Sequence, residues 1–192
     1  MSKPLQMPMF SPQTEWVPPL NLPDLKEYSE IAIDLETRDP NLMTMGSGSV
    51  RGDGEVVGIA IAVEGWSGYF PIAHEAGGNM DRGLVLDWFE EVLHTDATKI
   101  FHNAMYDVSW IRSLGFQIRG GIIDTMIAAS LVNENRWSFT LDSISKEFIG
   151  MGKNEKILAE AAKAWGVNPK AEMWRLPAPL VGEYAERDAE VT

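Results

Sequence analysis

Between residues 31 and 37 apolar and polar positions alternate strictly: Ile31, Ile33 and Leu35 fall on one side, Ala32, Asp34 and Glu36 on the other. A period of two marks a strand with one buried face. The segments EVVGIAIAVEGW and SGYFPIAH read as a second and third strand, with Gly65 at the turn between them, which predicts an antiparallel meander with the first. From Asp81 to Leu93 the period lengthens to that of a helix, with Leu84, Val85, Trp88, Phe89 and Val92 on one face. Short apolar runs and helices then alternate. Residues 99–102 form a strand, Asn103 to Leu114 a helix that stops at Gly115, and Gly121 to Ile123 another strand. Asp124 or Thr125 caps a helix over Met126–Val132, and Thr140 caps one through Phe148. A further helix covers 155–165 and ends at Gly166. Residues 167–180, with three prolines, form an irregular crossing, and the last helix starts near Pro179. A short helix is also expected from Pro23-Asp24 through Tyr28. Strands first, then helices alternating with short strands, give an α/β fold with a mixed central sheet.

The regions outside this pattern set the domain boundaries. Residues 1–22, with Pro4, Pro8, Pro12, Pro18 and Pro19, read as an extended N-terminal arm, and residues 23–192 as one domain. Residues 38–54 form a Gly/Ser/Asp-rich loop leaving the acidic end of the first strand, and loops of that length inside a compact domain are usually functional or mobile.

Charge and composition then narrow the chemistry. The net charge of −12 argues against a protein that grips duplex phosphates over a broad basic surface, but not against an enzyme that meets a nucleic-acid end through cations held by its own acids. The chain has no cysteine, which excludes disulfides, zinc–thiolate sites and thiol catalysis and suits a reducing cytoplasm. The opening residues do not read as a signal peptide, and no apolar run approaches the ~20 residues that span a bilayer, so no membrane partner is expected.

Asp34 and Glu36 point the same way from one strand. Burying two like charges side by side costs several kcal/mol unless something positive lies between them, and one or two divalent cations would resolve it. A D-x-E triplet is also common on solvated strand faces, so this stretch alone decides nothing. Asn103 and Asp107 lie four apart on a helix that follows directly from a strand, where open α/β sheets place their sites. Tyr184 and Asp188 repeat the spacing on the last helix. Each pair by itself fits a cap or a half-buried contact equally well.

Together, in this order, the three motifs resemble the DnaQ-like 3′→5′ exonucleases with four acids and a tyrosine. The resemblance is closest to the proofreading domains of phage-type family A DNA polymerases. It is carried by IAIDLETRDPN, EVVGIAIAVEGWSGYFPIAH, KIFHNAMYDVSWIRSLG, IIDTMIAASLV and VGEYAERDAEVT, over roughly residues 30–192. It implies a ribonuclease H-like sheet of three antiparallel strands followed by two parallel ones, flanked by helices. It further implies a site of two divalent cations, Mg²⁺ or Mn²⁺, held by Asp34, Glu36, Asp107 and Asp188, with Tyr184 orienting the attacking water. None of His74, His94 and His102 falls in the third motif, so this is the tyrosine variant.

The expected reaction is metal-dependent removal of 5′-mononucleotides from single-stranded or frayed DNA 3′ ends. Thr37, Asn103 and Arg38 are candidates to contact the strand. The basic concentration of residues 146–175, including Lys153 and Lys156, is a candidate path for it, with Trp165 expected in the core. Asp124 is read either as a helix cap or as an acid supporting the site. The chain stops just after the third motif, so it reads as an editing domain without its polymerase module, acting in the cytoplasm (the host's, if phage-encoded). Ribonuclease D-like RNA trimming and a catalytically silent nucleic-acid-binding module are the alternatives.

Overall fold

The computed structural model describes residues 4, 5, 7–152 and 154–192. Five strands make one sheet: β1 (Glu30–Arg38), β2 (Glu55–Val63), β3 (Trp66–Pro71), β4 (Thr98–Phe101) and β5 (Ile122–Asp124), in the order β3-β2-β1-β4-β5. β1, β2 and β3 pair antiparallel, and β4 and β5 add on the other side of β1 in parallel, as expected. Eight helices surround the sheet among the described residues: α1 (Leu42–Met45), α2 (Gly48–Arg51), α3 (Arg82–Leu93), α4 (Ala104–Ser113), α5 (Thr125–Val132), α6 (Leu141–Ile149), α7 (Lys156–Trp165) and α8 (Gly182–Glu190). No helix among the described residues is long and apolar enough to cross a membrane.

The period-two pattern of β1 divides the molecule into two cores. Ile31, Ile33 and Leu35 pack with Ile59, Ile61, Phe70 and the buried faces of α3 and α4. On the opposite face Ala60, Ala62 and Tyr69 pack with α7, α8 and the crossing that precedes α8. That second face is built from small side chains. Gly58 lies opposite Glu36, Ala60 opposite Asp34 and Ala62 opposite Ala32, which lets α8 lie close across β1, β2 and β3. Gly58 has no alternative, because a Cβ there would sit 2.1 Å from the Tyr69 hydroxyl.

Several local expectations need correction. The helix expected over 23–28 is a turn: Lys26 donates from its backbone to the Asp24 carboxylate, Tyr28 to the Leu25 carbonyl, and the chain enters β1 at Glu30 before a second helical turn could close. Leu84 is 63% exposed rather than on the packed face of α3, whose buried residues are Val85, Phe89, Val92 and Leu93. The 38–54 loop contains the single turns α1 and α2, stapled by Asp39, which accepts from the Gly48 amide at 2.9 Å and pairs with Arg51. The last helix starts at Gly182, not at Pro179, which lies in a separate 3-10 turn over Ala178–Leu180.

The described part of segment 1–22 has neither helix nor strand; Leu5 and Trp16 pack on the second core and Leu22 on the first. Its Trp16 ring covers Gly182, where a Cβ would come within 2.1 Å of the ring, and stands 6.0 Å from Tyr69.

Candidate active site

The site grows from the point where β1 loses its parallel neighbour. β4 pairs with β1 only over Glu30–Ala32, so the Leu35 amide has no strand to donate to on that side. Asp107, in the first turn of α4, takes it: Leu35 N donates to Asp107 Oδ1 at 3.1 Å. The second motif is thereby fixed to the first through backbone. Asp107 is 4% exposed, and its carboxyl is pushed well above the usual range, by burial first and by the Asp34 charge second. The bond from Leu35 opposes that rise without cancelling it.

The third motif arrives from the opposite side. Asp188 is 3% exposed on the face of α8 that carries Ala185 and Ala189, one turn from Tyr184. Burial raises the Tyr184 phenol far above its ordinary value, and the charges of Glu36, Asp188 and Asp34 add to the rise. The phenol also donates a hydrogen bond to Asp188. The fields of three carboxylates from two elements thus meet at one hydroxyl. Among the described residues no group of three acids or imidazoles is drawn close enough to hold a metal ion.

Asp124 performs the capping role and something more. Its carboxylate accepts from Met126 N at 2.9 Å and Ile127 N at 3.4 Å, capping α5. It also accepts from Asn103 N at 3.1 Å and Ala104 N at 2.9 Å, at the start of α4. One side chain therefore ties together the two helices that follow β4 and β5. Asn103 is not part of α4: it precedes it in the left-handed conformation, at φ 65°, with its side chain exposed.

A cleft of about 800 Å³ opens beside Asp34, lined among others by His102, Asn103, Thr140, Asp142, Lys146 and Lys170. Lys156 is exposed in the first turn of α7, and Lys153 lies outside the described residues. Arg38 pairs with Glu55 at 3.2 Å and stacks its guanidinium on Trp174 at 4.9 Å. Arg175, grouped with the basic concentration in sequence, is 5% exposed and held by Glu75 and Glu172, so it belongs to the scaffold. Trp165 is in the second core, as expected.

Thr37 has a partner that spacing did not disclose. Its hydroxyl lies 2.7 Å from that of Tyr106, and Tyr106 in turn donates to Asp39 at 3.4 Å. Because a carboxylate can only accept, Thr37 donates to Tyr106. Tyr69 and His74 were likewise missed, since they sit where the third strand looks merely apolar.

The family model described as 3′-5′ exonuclease matches residues 22–192. The DNA-directed DNA polymerase of Pseudomonas phage M6 is 35% identical over 200 residues, an alignment spanning 97% of this chain and 29% of that protein. The chain is therefore comparable to less than a third of that relative's length. Among solved structures, Brucella melitensis NrnC with bound Mg²⁺ is similar at TM-score 0.50 and 24% identity, over 71% of this chain and 61% of that one. Escherichia coli RNase D, an exoribonuclease involved in structured RNA processing, is similar at TM-score 0.55 and 17% identity, over 86% and 37% of the two chains. These last two likenesses establish a shared fold.

Proposed function

The chain belongs to the 3′–5′ exonuclease domains of family A DNA polymerases, and we propose that it hydrolyses the terminal phosphodiester of single-stranded or frayed DNA from the 3′ end. One observation carries the reading: Tyr184, on α8, feels the charges of Glu36, Asp188 and Asp34 together, while Asp107 is locked to the strand that bears two of them. Three motifs far apart in sequence thus form one electrostatic unit.

The donor set fits divalent cations. It consists of hard carboxylate oxygens, and the Asp107 carboxyl, raised first by burial and then by the Asp34 charge, supports a counter-charge beside it. Asp34, Glu36, Asp107 and Asp188 would hold two such ions, Mg²⁺ or Mn²⁺; the Mg²⁺ of the NrnC structure accords with that choice. When bound, divalent cations supply an acidified water and a counter-charge for the scissile phosphate. Tyr184 stays protonated at any working pH, so it does not act as the base. Its O–H is committed to Asp188, which leaves the phenolic oxygen to accept from the attacking water and aim it at phosphorus. The new P–O bond forms as the P–O3′ bond breaks, and the products are a 5′-mononucleotide and a strand with a fresh 3′-hydroxyl.

The cleft beside Asp34 offers Asn103, Lys146 and Lys170 to the strand. Thr37, aimed by Tyr106, serves the terminal nucleotide, and Lys153, Lys156 and Arg38 complete the candidate contacts. The relative's length favours a polymerase module as the physiological partner. Matched DNA and RNA oligonucleotides, digested with Mg²⁺ or Mn²⁺ and resolved by chromatography, test the proposal. Mononucleotides from DNA faster than from RNA are expected; preferential RNA digestion would replace it with RNA trimming.

A further inference from the structure

We propose that Tyr69 and His74 form a buried positioning pair that sets the Tyr184–Asp188 face of α8 against the acids of β1. The inference rests on the functional reading above and adds two residues to it.

His74 is 3% exposed and bonded through every polar atom it has. Its backbone N–H donates to Asn79 Oδ1 at 2.7 Å, and its carbonyl accepts from Asn79 Nδ2 at 2.9 Å. Its Nδ1 lies 2.9 Å from the Leu176 carbonyl oxygen and its Nε2 2.7 Å from the Tyr69 hydroxyl. A carbonyl can only accept, so Nδ1 carries the proton. Nε2 is then the acceptor, and the Tyr69 O–H donates to it. The direction of the whole chain is fixed: Tyr69 O–H to His74 Nε2, and His74 Nδ1–H to Leu176 O.

One end of this chain lies against the strand that faces Glu36, and the other lies in the segment that leads into α8. The Tyr69 hydroxyl lies against Gly58, whose strand position faces Glu36, and Tyr69 feels the charges of Glu36 and Asp34. Leu176 is fully buried in the short stretch between the two 3-10 turns that lead into α8. The pair therefore couples the strand face that carries two acids to the segment that decides where α8 begins. A buried polar pair is a costly way merely to fill space, since apolar side chains of similar volume would pack there without desolvation. Neither residue touches the reacting atoms; both act through the acids they place.

The test uses the full chain with Tyr69→Phe and His74→Gln. Mn²⁺ binding is measured by calorimetry, kcat and KM on single-stranded DNA across Mn²⁺ concentrations, and thermal melting without metal. Tyr69→Phe keeps the ring and should keep the fold. The expected result is Mn²⁺ affinity weakened about 10–100-fold in both variants, with kcat reduced at limiting Mn²⁺. KM for DNA should change less than about 2-fold. Wild-type Mn²⁺ binding and kcat in Tyr69→Phe, with or without a lowered melting temperature, would overturn the proposal and leave the pair as packing. A wild-type protein that neither binds Mn²⁺ nor digests DNA would instead overturn the functional reading on which it rests.

Discussion

Burial holds the His74 imidazole down to about 4, against an ordinary value near 6.5. In the unfolded chain it binds a proton below about 6.5, and in the folded chain only below about 4, so stability is full above that window and is lost as pH falls through it. The loss amounts to about 3 kcal/mol. Asp107 and Glu186, both raised by burial, act in the opposite sense, so the His74 contribution is read as a difference between proteins. Urea midpoints for wild type should fall between pH 6.5 and 4 more steeply than those of His74→Gln; parallel curves would contradict the buried neutral imidazole. Tyr184 gives a separate residue-scale prediction. Tyr184→Phe should lower kcat by about 10–100-fold with Mn²⁺ affinity little changed, because the lost oxygen aims water rather than holding metal. Stopped-time assays at saturating Mn²⁺ would show it.

At the scale of elements, Asp124 is the most consequential cap. Four backbone amides at the starts of α4 and α5 share its carboxylate. Asp124→Ala should cost about 2–3 kcal/mol, read from denaturant midpoints, and should loosen Asp107 with the first turn of α4. Its cap on α5 was legible as an acid before an apolar helical run, but its hold on α4 was not, because the residues it joins are twenty apart and meet only when β4 and β5 pair. The same distinction runs through the other elements. The alternation of β1 and the turn at Gly65 are local, and the structure follows them. Leu84 fits the helical period but falls outside the arc that the sheet covers. The turn at 24–28 carries helix-start residues without the length to propagate a helix. Lys99 is fully buried in β4 because its ammonium meets the carbonyls of Thr95, Ala97 and Arg119 and the Thr95 hydroxyl, a set of acceptors no spacing announces.

For the whole molecule, the sheet is a partition: one face holds a core of large aliphatic and aromatic side chains, the other is kept small so that α8 can bring Tyr184 and Asp188 over the acids of β1. The three acidic motifs could be picked out along the chain only in combination, because each alone is a common pattern and their order and spacing together are not. Tyr69, His74 and Tyr106 could not, since a tyrosine or histidine within or next to an apolar strand or helix looks like packing until its partners are placed. The central claim is that these carboxylates form one hydrolytic unit, and Asp107→Asn tests it with least disturbance. The amide keeps an oxygen for the Leu35 N–H while removing the buried charge. Asp107, raised in the fold, contributes stability below about pH 4 that is lost as pH rises through its elevated value, so at neutral pH the variant should melt no lower than wild type. The decisive measurement follows a 5′-labelled single-stranded DNA with Mn²⁺, wild type beside Asp107→Asn. The expected result is a ladder shortening from the 3′ end with wild type, abolished by EDTA and by the substitution. An equal ladder from the folded variant would contradict the account.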